Sequence, residues 1–125
     1  MEYVKFFLDV KYGDYTSKNA SNIEMTILGH FLATDAGNRP SSFREWFFDD
    51  STPDASSNLT SLTREDGYVL LSDLYSEEYD PTELKMTYAQ FLKILDDWEE
   101  KVIKLKPKEV FIKHENDEFI IETKD

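Results

Sequence analysis

Residues 22–34 read NIEMTILGHFLAT, and the architecture turns on how this run folds. Ser21, Asn22, Ile23 and Glu24 can open a helix with a capping box, placing Ile23, Ile27 and Phe31 on one face. The same run also alternates, because Ile23, Met25, Ile27, Gly29, Phe31 and Ala33 fall on one side of a strand. Glycine inside a helix costs about 1 kcal/mol relative to alanine. A strand is therefore expected, with the helix as the alternative. Residues 35–40, DAGNRP, form a turn in either case.

Upstream, residues 2–12 place Val4, Phe6, Leu8, Val10 and Tyr12 at a period of two, the pattern of a half-buried strand. Gly13 and Asp14 break it, and residues 15–21 read as a polar loop. Downstream, residues 41–50 follow Pro40 with Phe43, Trp46 and Phe47 at helical spacing, which predicts a short helix. Residues 51–63 are rich in Ser, Thr, Asp and Asn and read as a loop. Asp66-Gly67 is a turn signal, residues 68–74 (YVLLSDL) a strand, and residues 76–83 a polar, acidic connection.

Residues 87–105 give the clearest element. Thr87 and Gln90 form a T-x-x-Q capping box. Tyr88, Phe91, Ile94, Leu95, Trp98, Val102 and Leu105 make an apolar stripe at helical spacing, and Asp97/Lys101 and Glu100/Lys104 are i,i+4 pairs. Pro107 ends it, and residues 110–114 and 118–122 follow as a hairpin. The expected fold is a single α+β domain over residues 1–125. A mostly antiparallel sheet, in the order β-β-α-β-α-β-β, packs against one long helix.

The chain of 125 residues carries a formal charge of −12, and residues 41–100 hold 11 of those 12 negative charges. A field of that sign repels nucleic acid and anionic membrane and steers basic partners inward. Direct nucleic-acid and membrane binding are therefore not expected. The absence of cysteine excludes disulfides and thiolate metal sites and fits a reducing compartment. Glu2, Lys5 and Asp9 leave residues 6–8 as an uncharged run too short for a secretion signal or a membrane span. A cytoplasmic location is expected on these grounds.

No residue pattern carries chemistry. His30 and His114 have no local ligand or nucleophile context, and neither a glycine-rich phosphate loop nor an HExxH motif occurs. The acids at 49, 50 and 54 lack the spacing and central glycine of a calcium loop. Adjacent carboxylates such as Asp96 and Asp97 point apart on a helix, so adjacency does not make an acid–base pair. A binding role without catalysis, cofactor or metal is expected. Two acidic-aromatic patches are its candidates: Phe48, Asp49 and Asp50 with Asp54 beside them, and Glu77, Glu78, Tyr79 and Asp80 with Glu83. In the first, Trp46 and Phe47 are expected to face the core and Phe48 the solvent.

The block from Thr87 to Glu122, with F-L-x-I-L-x-x-W on a capped helix, then Lys-Pro, then a hydrophobic hairpin, resembles the immunity proteins of bacterial polymorphic toxin systems, including contact-dependent inhibition. That resemblance covers about a third of the chain. It implies cytosolic binding of a cognate toxin domain, often a basic nuclease, to neutralise it. These families differ in fold, so no residue role is carried over. A nucleic-acid mimic that inhibits a DNA-binding enzyme is the alternative, and an accessory interaction domain a third. Oligomeric state is not legible in the sequence.

Overall fold

Two four-stranded antiparallel sheets and three helices build the fold of this computed structural model. It describes residues 1–37, 39–49, 51–56, 59–73 and 82–125. The first sheet joins both ends of the chain. Its strands are β1 (Glu2–Asp9), β2 (Asp14–Ala20), β7 (Glu109–Glu115) and β8 (Glu118–Lys124), in the order β2-β1-β7-β8. The second is a meander of β3 (Asp54–Ser56), β4 (Thr60–Glu65), β5 (Tyr68–Asp73) and β6 (Glu83–Thr87) in chain order. The helices are α1 (Ile23–His30), α2 (Pro40–Phe47) and α3 (Tyr88–Trp98).

Residues 22–34 are thus helical and not a strand. Asn22 caps α1, its side chain accepting from the Met25 amide at 2.9 Å. The chain then continues into a π-helical segment, Phe31–Ala36, closed by a bond from the Gly37 amide to the Leu32 carbonyl five residues back. The alternation that suggested a strand follows from where α1 sits. It packs against β1 and β2 on one side and β5 and β6 on the other. Met25, Ile27, Leu28 and Gly29 are all buried, and apolar Ile23 shares the uncovered side with Thr26 and His30, so no clean polar stripe marks the helix. Gly29 serves this packing. A Cβ there would lie 2.9 Å from both Ser17 Cβ and Val4 Cγ2, closer than carbon atoms pack.

Three further expectations are corrected. Residues 15–21 are not a loop: Asp14–Ala20 form β2, an edge strand that buries only Tyr15 and therefore reads as polar. Residues 51–63 contain β3 and the start of β4, in which Thr60 and Leu62 are buried. The long helix is not dominant: α3 ends at Trp98 and passes into a second π-helical segment, Glu99–Ile103. The capping box of Thr87 and Gln90 is present. Glu100 pairs with Lys104 at 2.7 Å, whereas Asp97 pairs with Lys93 rather than Lys101.

The core is drawn from both sheets and the helices between them. Trp98 is at its centre, with Phe6 at 5.0 Å and Tyr15 at 5.9 Å, both edge-on, and its Nε1 donates to the Gly37 carbonyl at 3.1 Å. That bond ties the end of α3 to the end of the π segment after α1. No helix among the described residues is long and apolar enough to cross a membrane.

Candidate protein-binding surface

Phe47 and Phe48 end α2 and part ways. Phe47 is buried and Phe48 is 63% exposed. Both Phe48 and Tyr88, the first residue of α3, set their rings edge-on against Phe47 at 5.0 Å. Tyr88 is 36% exposed, so an aromatic ridge reaches the surface where α2 meets α3.

The loop after Phe48 is held by one cation. The Arg64 guanidinium donates to the carbonyl oxygens of Phe47, Asp49 and Thr52, and lies over the Trp46 ring at 5.1 Å. The Arg64 amide donates to the Pro53 carbonyl at 3.0 Å. This fixes the loop against β4 and starts β3, with Asp54 opposite Thr63. The Asp49 carboxylate turns back onto Ser51, accepting from its hydroxyl at 2.6 Å and its amide at 3.0 Å. The Ser51 hydroxyl chiefly, and its amide next, hold the Asp49 carboxyl below the ordinary carboxylate range.

The β4–β5 turn brings two more acids to the same end of the sheet. Asp66 and Gly67 both take positive φ, the geometry of a tight hairpin turn. Glu65 faces Tyr68 across strands, and Tyr68 faces Thr87, the residue before Tyr88. Glu65 follows directly on Arg64, which grips the Asp49 loop. Register thus places Asp49, Asp54, Glu65 and Asp66 at one end of the second sheet, with Glu65 on the face opposite the Arg64 side chain and the loop it holds. None of these four carboxylates takes part in an ion pair among the described residues.

Cross-strand register explains this. In the second sheet every facing partner of a named charge is neutral: Glu65 faces Tyr68, Glu83 faces Ser72, Asp54 faces Thr63 and Lys85 faces Leu70. Lys85 lies over the Tyr68 ring at 4.0 Å. On the outer face, Glu65, Asp66, Tyr68, Leu70, Glu83 and Lys85 line a depression of about 410 Å³. A larger groove of about 650 Å³ lies between the β7–β8 turn and the start of α3. It mixes Lys85, Lys93 and His114 with Asp117 and Glu118, so it offers no field of one sign.

Of the residues singled out in the sequence, Phe48 and Asp49 are on this surface, and Glu83 is on the outer face of the second sheet. Asp50, Glu77, Glu78, Tyr79 and Asp80 lie outside the described residues. Glu65, Asp66 and Tyr88 were not anticipated as site residues. The Asp66-Gly67 turn signal could have placed the first two at a hairpin tip. His114 is engaged structurally, with its Nδ1 3.0 Å from Glu2 and its ring stacked on Phe119 at 4.2 Å. Among the described residues no group of three or more His, Asp and Glu is placed to hold a metal ion. No known family, curated protein or solved structure matches the chain.

Proposed function

We propose that this chain is a binding protein for a basic protein partner, and specifically an immunity protein that neutralises a cognate bacterial toxin domain in the cytoplasm without catalysing a reaction. The observation that carries this reading is one end of the second sheet, where Asp49, Asp54, Glu65 and Asp66 stand outside any ion pair among the described residues and where Phe48 is 63% exposed. An aromatic anchor inside a rim of one charge supplies both affinity and steering. The loop that presents Phe48 is fastened by Arg64, which limits the ordering cost on binding. The resemblance of residues 87–122 to immunity proteins supports the partner class. A nucleic-acid mimic would instead array its acids along an elongated face. The exposed rings of Phe48 and Tyr88 beside the Asp49 loop favour a protein surface.

Salt-dependent binding to candidate basic toxin domains, nucleases first, tests the reading. Phe48→Ala is expected to raise Kd by about tenfold or more, chiefly through dissociation. Replacing Glu77, Glu78 and Asp80 by lysine asks the same of the second acidic segment, through the association rate. Unchanged binding in Phe48→Ala would rule out Phe48 as the anchor.

A further inference from the structure

Two sheets present four edge strands, and three of them are blunted. β3 has three residues, β2 carries a register shift opposite residues 4–6 of β1, and β6 has five residues and passes directly into α3. β8 differs. Its seven residues contain neither Gly nor Pro, and its register with β7 is unbroken throughout. Among the described residues, its backbone forms no hydrogen bond outside that pairing. A long regular edge of this kind is a template for another strand unless something covers it.

We infer that β8 pairs with β8 of a second copy of this chain, antiparallel about Ile121, so that two first sheets join into one continuous sheet. In a two-fold antiparallel pair, facing residues share a side of the sheet, so the axis must pass through a residue. Centred on Ile120, Glu118 would oppose Glu122 of the partner subunit. Centred on Glu122, that residue would oppose its own copy. Centred on Ile121, all seven residues overlap and Glu118 faces Lys124 of the partner subunit, twice by symmetry. The side chains suit this register. Glu118 is exposed and has no ion pair among the described residues, while Lys124 is 81% exposed and reaches only Glu109, at 3.9 Å. Glu122 is already neutralised by Lys113 at 2.8 Å, so placing it beside Ile120 of the partner subunit brings in no bare charge. The first sheet forms this contact and the second carries the acidic surface, so the inference stands apart from the proposed function.

Sedimentation equilibrium of the full chain from about 1 μM to about 1 mM is the test. A contact made by one strand pair is small, so a Kd on the order of tens of micromolar is expected. Glu118→Lys and Lys124→Glu, each at an exposed site, should each weaken the dimer about tenfold or more by setting like charges face to face. The double variant Glu118→Lys/Lys124→Glu restores the opposite-charge pairs and should return the dimer to wild-type strength. A monomer at every concentration, or a charge swap that fails to restore what the single variants lose, would overturn the inference.

Discussion

On the outer face of the first sheet, Lys113 sits between Glu122 and Glu115, and Lys124 faces Glu109. On the second, Asp54, Glu65 and Glu83 face only neutral side chains. Both sheets have four antiparallel strands, and both cover the same helices. In the first sheet Glu109 faces Lys124 directly, while Lys113 reaches Glu122 on the diagonal and Glu115 along its own strand, and Glu115 faces Glu118 as Asp9 faces Asp14. Exposed pairs contribute little stability, but they cancel each other's field. Glu109, Glu115 and Glu122 on the first sheet are thus matched by lysines, whereas Asp54, Glu65 and Asp66 at the end of the second have no such partner among the described residues. The acids of α3 are also paired, Asp96 with Arg44 and Asp97 with Lys93, and Glu100 of the π-helical segment pairs with Lys104.

The sharpest test of this contrast removes the cation that shapes the acidic end. Arg64→Ala should cost about 2–3 kcal/mol, since three charge-assisted bonds to carbonyls and a ring contact are lost together. Urea denaturation gives the total. Hydrogen exchange should show protection lost in the Phe48 loop and kept in β1 and β7. Gly29→Ala probes the other side, where α1 meets the first sheet. The gain in helix propensity is smaller than the strain of a methyl group 2.9 Å from Val4 and Ser17, so a net loss of about 1–2 kcal/mol is expected in thermal melts.

A smaller effect carries the sign of the comparison. Glu65→Gln and Asp66→Asn should each stabilise the fold by up to about 0.5 kcal/mol at low salt by relieving repulsion, whereas Glu122→Gln should be neutral or destabilising. The same sign on both sheets would break the contrast. The weakest signals are titrations. In the second sheet's loop, Asp49 keeps its charge below the usual carboxylate range, so the turn it makes with Ser51 holds at neutral pH and loosens only as pH falls through that lowered value. Ser51→Ala should move the Asp49 titration, followed by carbon NMR, back upward. In the first sheet, burial chiefly and Asp125 next push the Tyr15 phenol to about 12. Tyr15 donates to the Pro107 carbonyl, so its contribution is complete below the ordinary tyrosine value and is lost as pH rises through about 12. One of the seven tyrosines should then ionise late by ultraviolet absorbance, and Tyr15→Phe should abolish that step.

The sequence made α3 legible because one of its faces meets solvent: the capping box, the stripe from Phe91 to Val102 and the Glu100–Lys104 pair beyond it lie where the residues indicate, while Leu105, expected on the stripe, is 69% exposed past the helix. It misled over α1 because Ile23 is exposed there while Glu24, Thr26 and His30 are half-buried, so polar and apolar residues do not sort onto opposite faces and an accidental period of two remains. β2 and β4 were hidden for the opposite reason, since each buries only one or two side chains. At the candidate site, the division between Phe47 and Phe48 was readable from spacing along α2. That Asp49, Asp54, Glu65 and Asp66 share one end of the second sheet was not, because strand register and the Arg64 anchor set it and no local pattern encodes it.

Stopped-flow association with a basic toxin domain found to bind the chain, as a function of salt, compares the two surfaces directly. One variant reverses Asp49, Glu65 and Asp66 to lysine, and the other reverses Glu109, Glu115 and Glu122. At low ionic strength the first should slow association by about tenfold or more and flatten its salt dependence, while the second changes it little. Equal slowing by both variants would mean that net charge alone steers the partner, and would contradict a steering surface confined to the end of the second sheet.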